Sequence, residues 1–133
     1  MPPATARADG RERGSAVVDF VLVMVVLMPL FLGILQVALV LHVRNTLASA
    51  ASEGARYAAT IDRAPEAGVA RTRAQISGAI AARFASHVSA RPVRVNGAPG
   101  VRVVVDADVP PLGLWGPAVH LRVAGHAVEE VEP

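Results

Sequence analysis

The sequence predicts an α+β protein: a long N-terminal transmembrane helix continuing into a second helix, then a small antiparallel sheet of about three strands. Three observations predict it. An apolar run from Ala16 to Leu41 carries only Asp19 and Gln36 as strongly polar members. Helix-forming residues follow without proline from His42 to Ile61, and Pro65 separates them from a second helical pattern. From Arg91 the apolar period changes from three-to-four to two, which is the period of a strand with one buried face.

The apolar run rises about 1.5 Å per residue as a helix, so it exceeds the roughly 30 Å hydrocarbon core of a bilayer. Composition agrees. Apolar residues make up 53% of the chain and aromatics only 4%, so the apolar content is aliphatic and suits a lipid-facing helix better than a dense globular core. Pro29 removes one backbone donor and leaves the carbonyl of Val25 without its helical partner, a defect that membrane helices tolerate. A buried soluble helix is the competing reading, and the length of the run stands against it. A cleavable secretory signal is another, with Ala48-Ser49-Ala50 as its small-x-small site. Signal apolar regions run about 7 to 15 residues, shorter than this one.

Arg7, Arg11 and Arg13 precede the span, while Arg44 and Arg56 follow it. The bias is weak, but a long C-terminal domain translocates largely regardless of charge, so the N-terminus is expected in the cytoplasm. The resulting organisation is a cytoplasmic leader over 1–14, an N-terminal helix over 15–62 with its membrane span at about 16–41, and a small extracytoplasmic α+β domain over 63–133. The expected location is the cell membrane, crossed once.

Beyond the span, Val43, Leu47, Ala50, Ala51, Gly54, Ala58 and Ile61 fall on one stripe of the continuing helix. Its members are small, so a neighbouring element can approach closely. After Pro65, the residues Val69, Ile76, Ile80, Phe84 and Val88 share a face of a second amphipathic helix expected over Glu66 to Val88. Val93 and Val95 then alternate with Arg94 and Asn96, and Asn96-Gly97-Ala98-Pro99-Gly100 makes a turn. Val101, Val103, Val105, Ala107 and Val109 follow on one strand face, with Arg102, Val104, Asp106 and Asp108 on the other. A Pro/Gly-rich loop from Pro110 to Pro117 precedes a last strand in which Val119, Leu121, Val123 and Ala127 alternate with His120, Arg122 and His126. A domain of about seventy residues with so thin a core lies close to the size that needs a staple or a partner. The chain has no cysteine, so the partner is expected.

Catalysis and cofactors are not expected. The absence of cysteine removes disulfides, thiolate metal sites and cysteine nucleophiles together. His42, His87, His120 and His126 have no metal-ligand spacing with a third ligand nearby, so no metal site is expected and no catalytic residue is assigned. Asp106 and Asp108 read as solvated charge on a polar strand face, and Glu129, Glu130 and Glu132 as a solvated tail. A net charge of +2 with scattered arginines excludes the basic stripe that nucleic acid requires. Trp115, the one tryptophan, sits in the Pro/Gly loop, where it can anchor an interface or fold back over the core.

Two motifs carry a resemblance. Arg13-Gly14-Ser15-Ala16-Val17-Val18-Asp19-Phe20 places a glycine after basic residues, then four uncharged residues, an acid, an aromatic and the apolar run. It resembles the class III (type IV prepilin) signal junction. The second lies at Ala48 to Ala59, with the core Glu53-Gly54-Ala55-Arg56-Tyr57-Ala58, and resembles that of TadE-like proteins, minor pseudopilins of the tight-adherence (Tad/Flp) pilus system. The resemblance covers about residues 11–62.

By that resemblance, a prepilin peptidase cuts after Gly14, Ser15 becomes the new N-terminus, and Asp19 stands where the family usually has glutamate, beside Phe20 in place of a frequent tyrosine. A carboxylate at mid-bilayer costs about 2.5 to 3.5 kcal/mol on insertion scales, so Asp19 either takes a neighbouring subunit's ammonium as partner or is wetted at the helix start. Glu53, Gly54, Arg56 and Tyr57 join Asp19 and Phe20 as assembly residues, with Glu53 and Arg56 close enough on one face to pair. The implied partners are the membrane, other pilins or pseudopilins, Tad platform proteins and a prepilin peptidase. The alternatives are an unprocessed single-pass scaffold of an envelope secretion complex and a secreted binding domain released after Ala50.

Overall fold

The computed structural model describes residues 9–60, 63–113 and 116–130. Arg7, Ile61, Leu114, Trp115 and Glu132, each given a place in the sequence reading, lie outside them. Helix α1 spans Asp9–Ala58, α2 spans Pro65–Ala79, and a 3₁₀ turn at Ala82–Ala85 leads into strands β1 (His87–Val95), β2 (Ala98–Val109) and β3 (Val119–Val128). The sheet is antiparallel in the order β1-β2-β3. This is the expected α+β architecture. The contacts of the chain divide it into two units, residues 1–37 and residues 38–133.

The first unit contributes the apolar stretch of α1. Phe20, Leu22, Val25, Val26, Met28, Leu30, Phe31, Ile34 and Val37 are all exposed. An 18-residue window of this helix has a mean hydropathy of 2.7 with none of it buried. Water does not tolerate so continuous an apolar surface, and by length and composition α1 is able to cross a membrane. Pro29 lies inside α1 without ending it.

The second unit is built around the expected stripe. Val43, Leu47, Ala50, Ala51, Gly54, Ala55 and Ala58 are buried, and the first five of the apolar members join Ile76, Phe84, Val88, Val103, Val105, Ala107, Val109 and Val123 in one core. The inner face of β2 is the alternate set that its period predicts, with Val101, Val103, Val105 and Val109 almost fully enclosed. Small side chains let backbones meet. Gly125 of β3 lies so close to α1 that a Cβ there would strike the backbone of Ala51 and Ser52.

Three local expectations are corrected. The second helix stops at Ala79, and Ile80 turns extended at φ −140° and ψ −166° while its N–H still reaches Ile76 O. Phe84 and Val88 reach the core from the 3₁₀ turn and from β1, so a spacing of four that mimics one helix face crosses three kinds of backbone. Pairing of Val88 with Val105 in the sheet supplies the competing stabilisation. The turn is tighter than the five residues expected. Asn96 at φ 50° and Gly97 at φ 84° form a two-residue link closed by the pair Val95 and Ala98, as twisted hairpins favour. Val93 and Val95 consequently share the outer face with Arg91 and Arg102, while Val88 and Ala90 face the core. Val104, also on the outer face, is nevertheless buried between Ser89 and Ala124.

The two residues after β3 are held by their backbone. Glu129 N–H donates to Pro99 O and Glu130 N–H donates to Ala59 O, each at 3.0 Å. Glu129 is half-buried and Glu130 exposed, while Glu132 lies outside the described residues.

Candidate functional site

Gly54 is the centre of the motif core, and the structure gives it a packing task. A Cβ at Gly54 would strike Thr72 Oγ1 and lie 2.7 Å from Gly68 O, and a Cβ at Gly68 would lie 2.7 Å from Gly54 O. The two glycines let α1 and α2 cross with backbones in contact. Thr72, wholly buried, sets its hydroxyl 2.8 Å from Gly68 O and 3.3 Å from Ala50 O, so the crossing also carries a polar tie between helices. Buried hydroxyls need such acceptors.

Around this crossing lie the charged members of the motif. Glu53 meets Arg71 of α2 at 3.6 Å. Arg56 lies three residues along the same helix, is exposed, and has no such contact with Glu53, so the expected Glu53–Arg56 pair is replaced by one that ties α1 to α2. The Tyr57 ring carries the Arg63 guanidinium 3.7 Å from its centroid and that of Arg71 at 5.8 Å. Exposed cation–π contacts contribute about 0.5 to 1 kcal/mol, and the half-exposed Glu53–Arg71 pair adds under about 1 kcal/mol. Each contact of the cluster is individually weak. The cluster presents a shaped, charged surface beside the exposed Arg56.

Gly14, Ser15, Asp19 and Phe20 belong to the first unit, and all four are exposed on α1. Nothing lies within 4 Å of a Cβ built on Gly14. The structure thus brings together Glu53, Gly54 and Tyr57 with α2, and leaves the junction residues open along the apolar helix. Ala50, the alternative cleavage position, is buried mid-helix next to Ala51.

The motif core ends the segment that a family model recognises: the model described as TadE-like protein matches residues 14–56. Over those residues the chain is similar to TadE-like proteins. No curated protein and no solved structure matches it. The TadE-like segment holds Gly14, Ser15, Asp19, Phe20, Glu53, Gly54 and Arg56 and stops one residue before Tyr57. The partners Arg63, Gly68, Arg71 and Thr72 lie beyond it on the chain. Sequence reasoning missed those four residues. Gly68 and Thr72 are four apart on a helix, a small-xxx-small pair that signals close approach, whereas Arg63 and Arg71 carry no signal of their own.

On the far face of the sheet, His120 meets Asp108 at 2.8 Å and Asp106 at 3.6 Å, and Arg122 meets Asp106 at 3.3 Å. These are cross-strand pairs of an exposed face, and the aspartates read from the sequence as solvated charge are its acidic partners.

Proposed function

We propose that this chain is a TadE-like pseudopilin, a non-catalytic component of Tad/Flp pilus assembly that works by packing of its membrane helix and by protein contacts outside the bilayer. The observation that carries the reading is the coincidence of the TadE-like match with the apolar helix and with Glu53, Gly54 and Arg56 of the motif. In this reading α1 holds the protein in the cell membrane, with the N-terminus cytoplasmic and residues 38–133 extracytoplasmic. Pilins, other pseudopilins and Tad platform proteins are the partners. A prepilin peptidase cuts after Gly14, leaving Ser15 as the first residue.

Support for a tethered domain comes from the core. Val43 and Leu47 are fully enclosed in it, so release after Ala50 would strip two of its largest side chains. Asp19 and Phe20 serve the membrane contacts, and Arg56 and Tyr57 serve the contacts outside.

Affinity purification of the tagged full chain from its native membrane tests the reading. A pilin or Tad platform protein in the eluate is expected, and an eluate holding neither overturns it. N-terminal sequencing of the same material is expected to begin at Ser15. A start at Met1 or Pro2 refutes cleavage and leaves an unprocessed scaffold of the same family.

A further inference from the structure

The outer face of the sheet is electrostatically uneven. At one end Asp106 and Asp108 contact His120, and Asp106 pairs with Arg122. Two rows further along, Arg91 is the register partner of Arg102, and Arg102 is the register partner of His126. All three are exposed, and among the described residues none has a carboxylate within 4.0 Å. Like charges directly opposite one another on adjacent strands weaken a sheet. Arg91 opposite Arg102 is such a pair, and an anion laid across the row relieves the repulsion.

The chain supplies one of suitable shape. Three of its eleven acidic residues, Glu129, Glu130 and Glu132, lie within its last five positions. In an extended segment Glu130 and Glu132 point to the same side about 6.6 Å apart, and strands at about 4.8 Å spacing set the row over about 10 Å, so two carboxylates fit along it against the two guanidiniums. The row of the same molecule is not the target. Among the described residues, Glu130 of the same molecule makes no ion pair within 4.0 Å with Arg91, Arg102 or His126, and its N–H is held by Ala59 O at the end of α1.

We propose that the row Arg91, Arg102 and His126 receives the acidic C-terminal segment, Glu130 and Glu132, of a second copy of this chain. Each molecule offers one row and one tail, so two copies can exchange tails reciprocally or a longer series can form head to tail. It goes beyond the pilus reading and does not depend on it.

Sedimentation velocity of the full chain in an uncharged detergent tests the contact at about 0.01 M and about 1 M salt, where the screening length falls from about 30 Å to 3 Å. Association at low salt that dissolves at high salt is expected. R91E/R102E alone and E130R/E132R alone should each weaken association by roughly tenfold, the scale of a few exposed ion pairs. Mixing the two variants should restore it, because each then offers the charge that the other lacks. Should R91E/R102E fail to fold, as judged by its far-ultraviolet circular dichroism, E130R/E132R mixed with the wild type keeps the test. There the wild-type tail still fits the variant's row, so mixed complexes form where the variant alone does not associate. A wild type that stays monomeric at low salt overturns the proposal, as does association unaffected by salt and by both variants, which would place the contact on the apolar helix. Binding to phosphatidylglycerol vesicles without self-association would assign the row to lipid and likewise overturn it.

Discussion

At the scale of single residues, the crossing of Gly54 with Gly68 is the point where a side chain has least room. Gly54→Leu meets a backbone carbonyl at 2.7 Å as well as Thr72, and a carbonyl in a helix cannot rotate away. The substitution should destabilise the second unit by about 1 to 3 kcal/mol or more, read as a lowered thermal midpoint of the full chain in detergent. Gly78→Ala is the matched control. A Cβ there meets nothing within 4 Å, and alanine favours the helix over glycine by up to about 1 kcal/mol, so its midpoint should hold or rise. Thr72→Val keeps the volume and removes the hydroxyl that bridges Gly68 O and Ala50 O; a loss of about 1 kcal/mol is expected by the same measurement. Arg71→Ala removes the partner of Glu53 and one of the two cations over Tyr57. These groups are half-exposed, so stability should fall by under about 1 kcal/mol. A larger effect on recovery of pilus partners from the membrane would separate assembly from folding.

At the scale of elements, the hairpin and the apolar helix each rest on a different solvent argument. The β1–β2 link works because two consecutive residues hold positive φ, and Gly97 at 84° has the freedom to do so. Gly97→Ala should cost about 1 to 2 kcal/mol, although a Cβ there meets no neighbour. Chemical denaturation would show it as a shifted midpoint with an unchanged slope. Along α1 the apolar stretch is long enough to cross a membrane. Val26 is exposed in the middle of the apolar stretch, and Val26→Arg adds about 2.5 to 3.5 kcal/mol to membrane insertion. The variant should move from the membrane pellet to the soluble or degraded fraction on cell fractionation, whereas a helix packed against protein in water would show no such shift.

At the scale of the whole molecule, one helix serves two environments. Its first part is exposed and apolar, while Val43 through Ala58 supply much of the core of residues 38–133. Cleavage after Ala50 would therefore remove Val43 and Leu47 from this core. Alkaline carbonate extraction should leave the protein in the membrane fraction. Full recovery in the supernatant would contradict a spanning helix. The thin core also explains why a chain without disulfides is expected to rely on partners, whether pilus components or the acidic tail of another copy.

The sequence by itself determined the elements whose signal is a period or a run: the apolar stretch from Ala16 to Leu41, the small stripe from Val43 to Ala58, and the alternation of β2. In each, one solvent boundary acts on consecutive turns or residues, so the pattern is written locally. It also carried the two motifs that led to the TadE-like family. The tertiary structure alone decided where the second helix ends, because Phe84 and Val88 satisfy a helical spacing yet reach the core from a turn and a strand. It alone moved Glu53 from Arg56 to Arg71, since a contact between helices outcompetes a weak pair within one and has no trace in local spacing. And it alone aligned Arg91, Arg102 and His126, which are distant along the chain and meet only through the register of three strands.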